Sequence, residues 1–164
     1  TLVVDVKHPL LLIVDEGMEE EAITRLSRVG FDNVLGYLKG GFASWKNGER
    51  ETDEVKRISP AEFAERFTGN SKVIDVRKTS EYFSEHINNA YNKPLDMISD
   101  WVSTIDDSEH FFLHCAGGYR SMIAASILNS HGIRNFTEIE GGFSAIKKTE
   151  KFPTSDFVCQ SKVL

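Results

Sequence analysis

Two stretches of the chain carry the same succession of apolar and polar positions. The first, Leu10 to Gly48, reads LLLIVDEGMEEEAITRLSRVGFDNVLGYLKGGFASWKNG. The second, Phe111 to Thr149, reads FFLHCAGGYRSMIAASILNSHGIRNFTEIEGGFSAIKKT. Each opens on a short apolar run that predicts a strand, passes through a short loop into an amphipathic helical pattern, and meets a glycine. A second strand follows, then Gly-Gly-Phe and a short helix. Gly30 matches Gly132 at an offset of 102, whereas Gly40 and Gly41 match Gly141 and Gly142 at an offset of 101, so one residue slips between the two landmarks. Two copies are too few for a solenoid and predict two related α/β units.

The second copy is preceded by further alternating elements. EVKRI predicts a short strand. In SPAEFAERFTG, Ser59 stands as N-cap, Pro60 at the first helical position and Glu62 three after the cap, which starts a helix. KVIDV predicts a buried parallel strand, TSEYFSEH a short helical turn, and NAYNKP a strand and exit. Leu95, Ile98, Trp101, Val102 and Ile105 fall at helical spacing. Alternation of this kind predicts a parallel sheet flanked by helices. The expected organisation is a C-terminal half-unit over residues 1–50, a charged linker KNGERETDE, a complete domain over 53–150, and a weakly patterned tail over 151–164. The half-unit is expected to pack on the second, complete unit or to self-associate.

Composition removes several function classes. The chain has 164 residues, a formal charge of −6 and no Lys/Arg cluster, which argues against nucleic acid as a partner. No apolar run reaches the length of a membrane span, and the start does not read as a signal peptide, so neither a membrane nor secretion is expected. Cys115 and Cys159 have no paired spacing, which predicts a reducing, cytoplasmic setting. The five histidines show no metal-ligand spacing, and no metal or cofactor is expected.

Cys115 sits where the strand FFLH ends, and AGGYRS must reverse the chain into a helix. Ligands gather at such strand ends in parallel α/β sheets. Gly117 and Gly118 allow a tight loop whose amides can face inward. The helix start and Arg120, the one formal cation in the loop, are expected to favour the thiolate and to hold an anion beside it. A buried structural cysteine is the bland alternative, but it needs neither two glycines nor an arginine and a serine at this turn. Cys159, in the unpatterned tail, keeps the bland reading.

VIDVR (Val73 to Arg77), EYFSEHINNAYNKPL, HCAGGYRS (His114 to Ser121) and HGIRNFTEIEGGFSA together resemble the rhodanese-like sulfurtransferases. EHINNA lacks the glycines and proline of the family's usual turn at that place. The resemblance implies a rhodanese-like parallel sheet flanked by helices, preceded by a truncated second rhodanese-like unit. It implies a persulfide on Cys115, with Arg120 binding the donor's anionic part. Ala116, Gly117, Gly118, Tyr119 and Ser121 would line the substrate loop, with Asp75 and Arg77 in support. Small sulfur-containing anions and thiols are the implied partners. Four residues separate Cys115 from Arg120, one fewer than in the related phosphatases, which favours sulfur transfer over phosphate hydrolysis.

In the first copy, Val14 or Ile13 stands opposite Cys115, and Met18 or Glu19 opposite Arg120. With no thiol and an acidic loop, that copy is expected to be structural. An inactive unit followed by an active one resembles the C-terminal part of fusions with a metallo-β-lactamase-like persulfide dioxygenase, whose metal-binding domain would be the packing partner; homodimerisation is the other expectation. A carrier that holds persulfide without turnover is the remaining alternative to an enzyme.

Overall fold

The computed structural model describes residues 6–155. The chain divides into two compact units, Thr1–Glu54 and Val55–Leu164. Cys159 lies outside the described residues.

The first unit contains β1 (Leu10–Leu12), α1 (Glu19–Ser27), β2 (Val34–Tyr37) and α2 (Gly41–Asn47), with β1 and β2 paired in parallel. Three glutamates in the first turn of α1 complement its positive end, and Arg25 pairs with Glu21 one turn back.

The second unit begins with β3 (Arg57–Ile58), α3 (Pro60–Arg66), β4 (Lys72–Asp75), α4 (Thr79–Ser84) and β5 (Tyr91–Asn92). After α5 (Ile98–Trp101) come β6 (Phe111–His114), α6 (Tyr119–Ser130), β7 (Phe136–Ile139) and α7 (Gly142–Lys147). Its five strands form one parallel sheet in the order β3-β7-β6-β4-β5. The expected helix start at Ser59 is present: the hydroxyl accepts the Glu62 amide at 3.2 Å, and the Glu62 carboxylate accepts the Ser59 amide at 2.9 Å. Such a cap contributes about 1 kcal/mol.

β6 and β7 are buried at every position, as a central parallel strand requires. Phe112 and Ile139 gather with Phe63 of α3 and with Phe143 and Ile146 of α7. Phe111 and Leu113 point the other way by strand alternation, and α6 packs on β6 and β7. The 95–105 pattern, which predicts one helix, is instead a 3₁₀ turn at Leu95–Met97, the single turn α5, and a second 3₁₀ turn at Val102–Thr104. Trp101 donates its indole N–H to the Pro94 carbonyl at 2.9 Å, and Thr104 bonds the Trp101 carbonyl at 2.7 Å. These side-chain bonds occupy the carbonyl just before the first 3₁₀ turn and the one on the last residue of α5, and accompany the tighter turns there.

Residues 151–155 are tied into this unit. Phe152 stacks on Phe63 with centroids 4.6 Å apart, and Thr154 bridges Ile87.

The two units repeat one backbone motif in detail. Leu11↔Gly36 and Leu12↔Tyr37 in the first unit correspond to Phe112↔Thr137 and Leu113↔Glu138 in the second at the offset of 101. Between Leu10 and Leu11 the register shifts: β2 advances from Val34 to Gly36 while β1 advances one residue. The slip between the glycine landmarks is therefore a β-bulge that absorbs one extra residue. Gly40 and Gly41 take φ of 75° and 57°, and Gly141 and Gly142 take 69° and 56°. A Cβ at Gly41 would overlap the Val14 carbonyl oxygen, as one at Gly142 would overlap that of Cys115. Val14, not Ile13, is thus the counterpart of Cys115.

Candidate active site

Cys115 leaves the C-terminal end of β6 and the chain turns through 116–118 into α6. Gly118 closes the turn at φ 99°, a left-handed conformation that suits glycine. From the other side, Phe143 donates its amide to the Cys115 carbonyl at 2.7 Å and Ser144 donates to that of Ala116 at 3.0 Å. The start of α7 thus clamps the loop's carbonyls, and Gly142 is the point where the two backbones cross.

The residue Cys115 is 1% exposed, yet its sulfur lies among polar groups. The Gly118 amide donates to Sγ at 3.2 Å and the Ser121 hydroxyl at 3.4 Å. That hydroxyl also stands 2.6 Å from Glu138 Oε1 and 3.0 Å from the Gly118 carbonyl. With one hydrogen it serves one acceptor at a time, and the short contact to the carboxylate is the strongest available. Glu138 is fully buried on β7 and takes the Arg57 Nε–H at 2.9 Å on its other oxygen.

Arg120 does not point a free guanidinium at the sulfur. Its two terminal nitrogens donate to Glu81 of α4 at 2.6 and 2.9 Å. Those hydrogen bonds hold the Glu81 carboxyl below its ordinary range and raise the Arg120 guanidinium. Asp75 and Arg77 form a second pair, with Nε–Oδ2 at 2.8 Å and Nη2–Oδ2 at 2.6 Å. Arg77 also donates to the Glu85 carbonyl at 2.8 Å and lies 4.1 Å from the Phe143 ring centroid. Asp75 therefore reaches the loop through Arg77 and Phe143, not through Arg120. Tyr119 is 80% exposed and Gly117 is exposed.

Of the residues singled out in the sequence, Cys115, Gly118 and Ser121 converge on the sulfur. Ala116 is held by its carbonyl, Gly117 and Tyr119 form the outer rim, and Arg120 turns to Glu81. Glu81 and Glu138 were not singled out. Glu138 had a visible signal, a carboxylate inside the buried run FTEI. Glu81 had only its place in EYF, four residues after Arg77. Among the described residues, no group of three His, Cys, Asp or Glu side chains is arranged to hold a metal ion, and no helix is long and apolar enough to cross a membrane.

Comparison with known proteins places this geometry. The rhodanese-like domain matches residues 59–149, more than half of the chain. A protein named thiosulfate sulfurtransferase GlpE, from Pseudomonas fluorescens, is 28% identical over 96 residues, covering 58% of this chain and 88% of its own. The adenylyltransferase and sulfurtransferase UBA4 of Candida glabrata is 31% identical over 106 residues, but the chain spans only 24% of its length. The crystal structure of a rhodanese-like domain protein from Staphylococcus aureus superposes with a TM-score of 0.52 at 30% identity, covering 56% of this chain and 91% of that one. With the fold, the loop and the profile in agreement over residues 59–149, the chain belongs to the rhodanese-like domain family.

Proposed function

We propose that the chain is a sulfurtransferase that carries sulfane sulfur on Cys115. In the loading step the Cys115 thiolate bonds to the outer sulfur of a donor. The donor's S–S bond breaks, and sulfite or a thiolate leaves with the electron pair. In the second step an acceptor thiolate or cyanide bonds to that outer sulfur, and Cys115 thiolate is regenerated. The observation that carries this reading is the sulfur held at the end of β6, with the Gly118 N–H directed at it and the Ser121 hydroxyl, anchored on Glu138, beside it. Donors fixed in place before reaction stabilise charge on sulfur at no reorganisation cost. The thiosulfate sulfurtransferase name of the GlpE relative supports the same reaction class.

Intact mass after exposure to a sulfane-sulfur donor tests the reading. A gain of one sulfur atom is expected, absent in Cys115→Ala. Thiocyanate released from thiosulfate and cyanide then separates an enzyme from a carrier: loading without turnover supports the carrier. No gain with thiosulfate or with a small persulfide refutes both. The first unit, with Val14 in place of the thiol, is read as non-catalytic. A persulfide-handling fusion partner, as the sequence resemblance suggests, would be a source of donor.

A further inference from the structure

We propose that Glu81 sets donor specificity at Cys115, turning the site away from the thiosulfate dianion and toward persulfides of small thiols; this rests on the sulfurtransferase reading above. The loop's one cation is occupied. Both terminal nitrogens of Arg120 are forked onto the two Glu81 oxygens, which takes the end-on fork of the guanidinium and matches its charge with a carboxylate. Glu81 is itself held, because Oε2 also accepts the Lys78 amide at 3.2 Å as part of the α4 cap. The neighbouring cations are likewise paired, Arg77 with Asp75 and Arg57 with Glu138. Every guanidinium described at the site is thus matched by a carboxylate, and the whole chain carries a net charge of −6.

The two donors differ in the charge they bring together. When Cys115 thiolate attacks thiosulfate, three negative charges meet. The Sγ–S bond forms, the S–S bond breaks, and sulfite leaves with the pair and two of the charges. When it attacks a protonated persulfide at its outer sulfur, one negative charge is shared. The Sγ–S bond forms, the donor S–S bond breaks, the proton stays on the transferred sulfur, and a thiolate departs. The second path needs only the Gly118 N–H already at the sulfur. The first needs a free cation, or requires the dianion to displace Glu81 and settle beside it.

The test loads the full chain with thiosulfate or with cysteine persulfide, whose ammonium and carboxylate cancel, and follows the rate of sulfur gain on Cys115 by intact mass. In Glu81→Gln an oxygen remains for the Lys78 amide while the charge is lost. Removing one carboxylate beside a bound dianion is expected to raise kcat/KM for thiosulfate about ten-fold, while the persulfide changes less than about two-fold, a size set by the single charge that path carries. An unchanged thiosulfate rate, or an equal rise for both donors, overturns the proposal. Should the variant not fold, the wild-type chain decides. Salt screens the repulsion, so thiosulfate loading must climb with ionic strength relative to persulfide loading, and a flat ratio overturns the proposal. Failure of both donors to load the wild-type chain instead removes the sulfurtransferase reading itself.

Discussion

Gly142 occupies the tightest crossing at the site. A Cβ there would stand 2.9 Å from the Cys115 carbonyl carbon and 2.8 Å from that of Ala116, both backbone atoms, at φ 56°. Gly142→Ala is expected to cost about 2 to 4 kcal/mol and to abolish sulfur loading by pushing the loop off α7. Denaturant unfolding and intact mass measure the two effects. His114 offers a second prediction at this scale. It is fully buried, its Nδ1 donates to the Cys115 carbonyl at 3.1 Å, and its Nε2 has no partner. Burial pushes the imidazole below its usual 6.5, against the opposing pull of Asp75 and the Cys115 carbonyl and with a smaller push from Arg77. The unfolded chain therefore binds a proton that the folded chain refuses, so stability is full above about pH 6.5 and falls as pH drops below it. His110, also lowered by burial, acts in the same direction. In His114→Leu the urea midpoint should fall less steeply between pH 7.5 and 5 than in wild type, with the His110 share remaining; an unchanged slope would count against a neutral His114.

At the scale of elements, the strand–loop–helix repeat was legible because it rests on local rules. Apolar runs and the Ser59–Glu62 cap each act within a few residues, and each appears where the pattern placed it. The partners of Glu81 and Glu138 were not legible, since Glu81 meets Arg120 across 39 residues and Glu138 meets Ser121 across 17. No local period encodes such meetings. The single helix expected over 95–105 failed for a different, local reason: its apolar spacing was right, but the Trp101 and Thr104 side-chain bonds to backbone carbonyls go with tighter turns. The repeat also yields a test of the first unit's silence. Val14→Cys places a thiol at the counterpart of Cys115, but the loop there carries Asp15 and Glu16 and is followed by Glu19, Glu20 and Glu21. In a Cys115→Ala background it should not restore sulfur loading; a gain of sulfur on the new thiol would show the first loop to be competent.

Across the whole molecule, the two units differ in how completely their strands are covered. Phe112 of the second unit is 6% exposed, whereas Leu11 at the same repeat position is 78% exposed, and Leu35 and Tyr37 are exposed as well. Apolar surface of that kind lowers solubility and invites association. Leu11→Lys should therefore raise the concentration at which the chain stays monodisperse by light scattering, and leave loading of Cys115 unchanged. The paired glycines carry a broader lesson for anyone tallying enzymes from genomes. A survey that scores Gly-Gly-Phe as the mark of a working centre would credit this polypeptide with two. The signature records only that two main chains pass close together, and it is the group lying under the crossing, a thiol in one instance and an isopropyl in the other, that tells chemistry from scaffold.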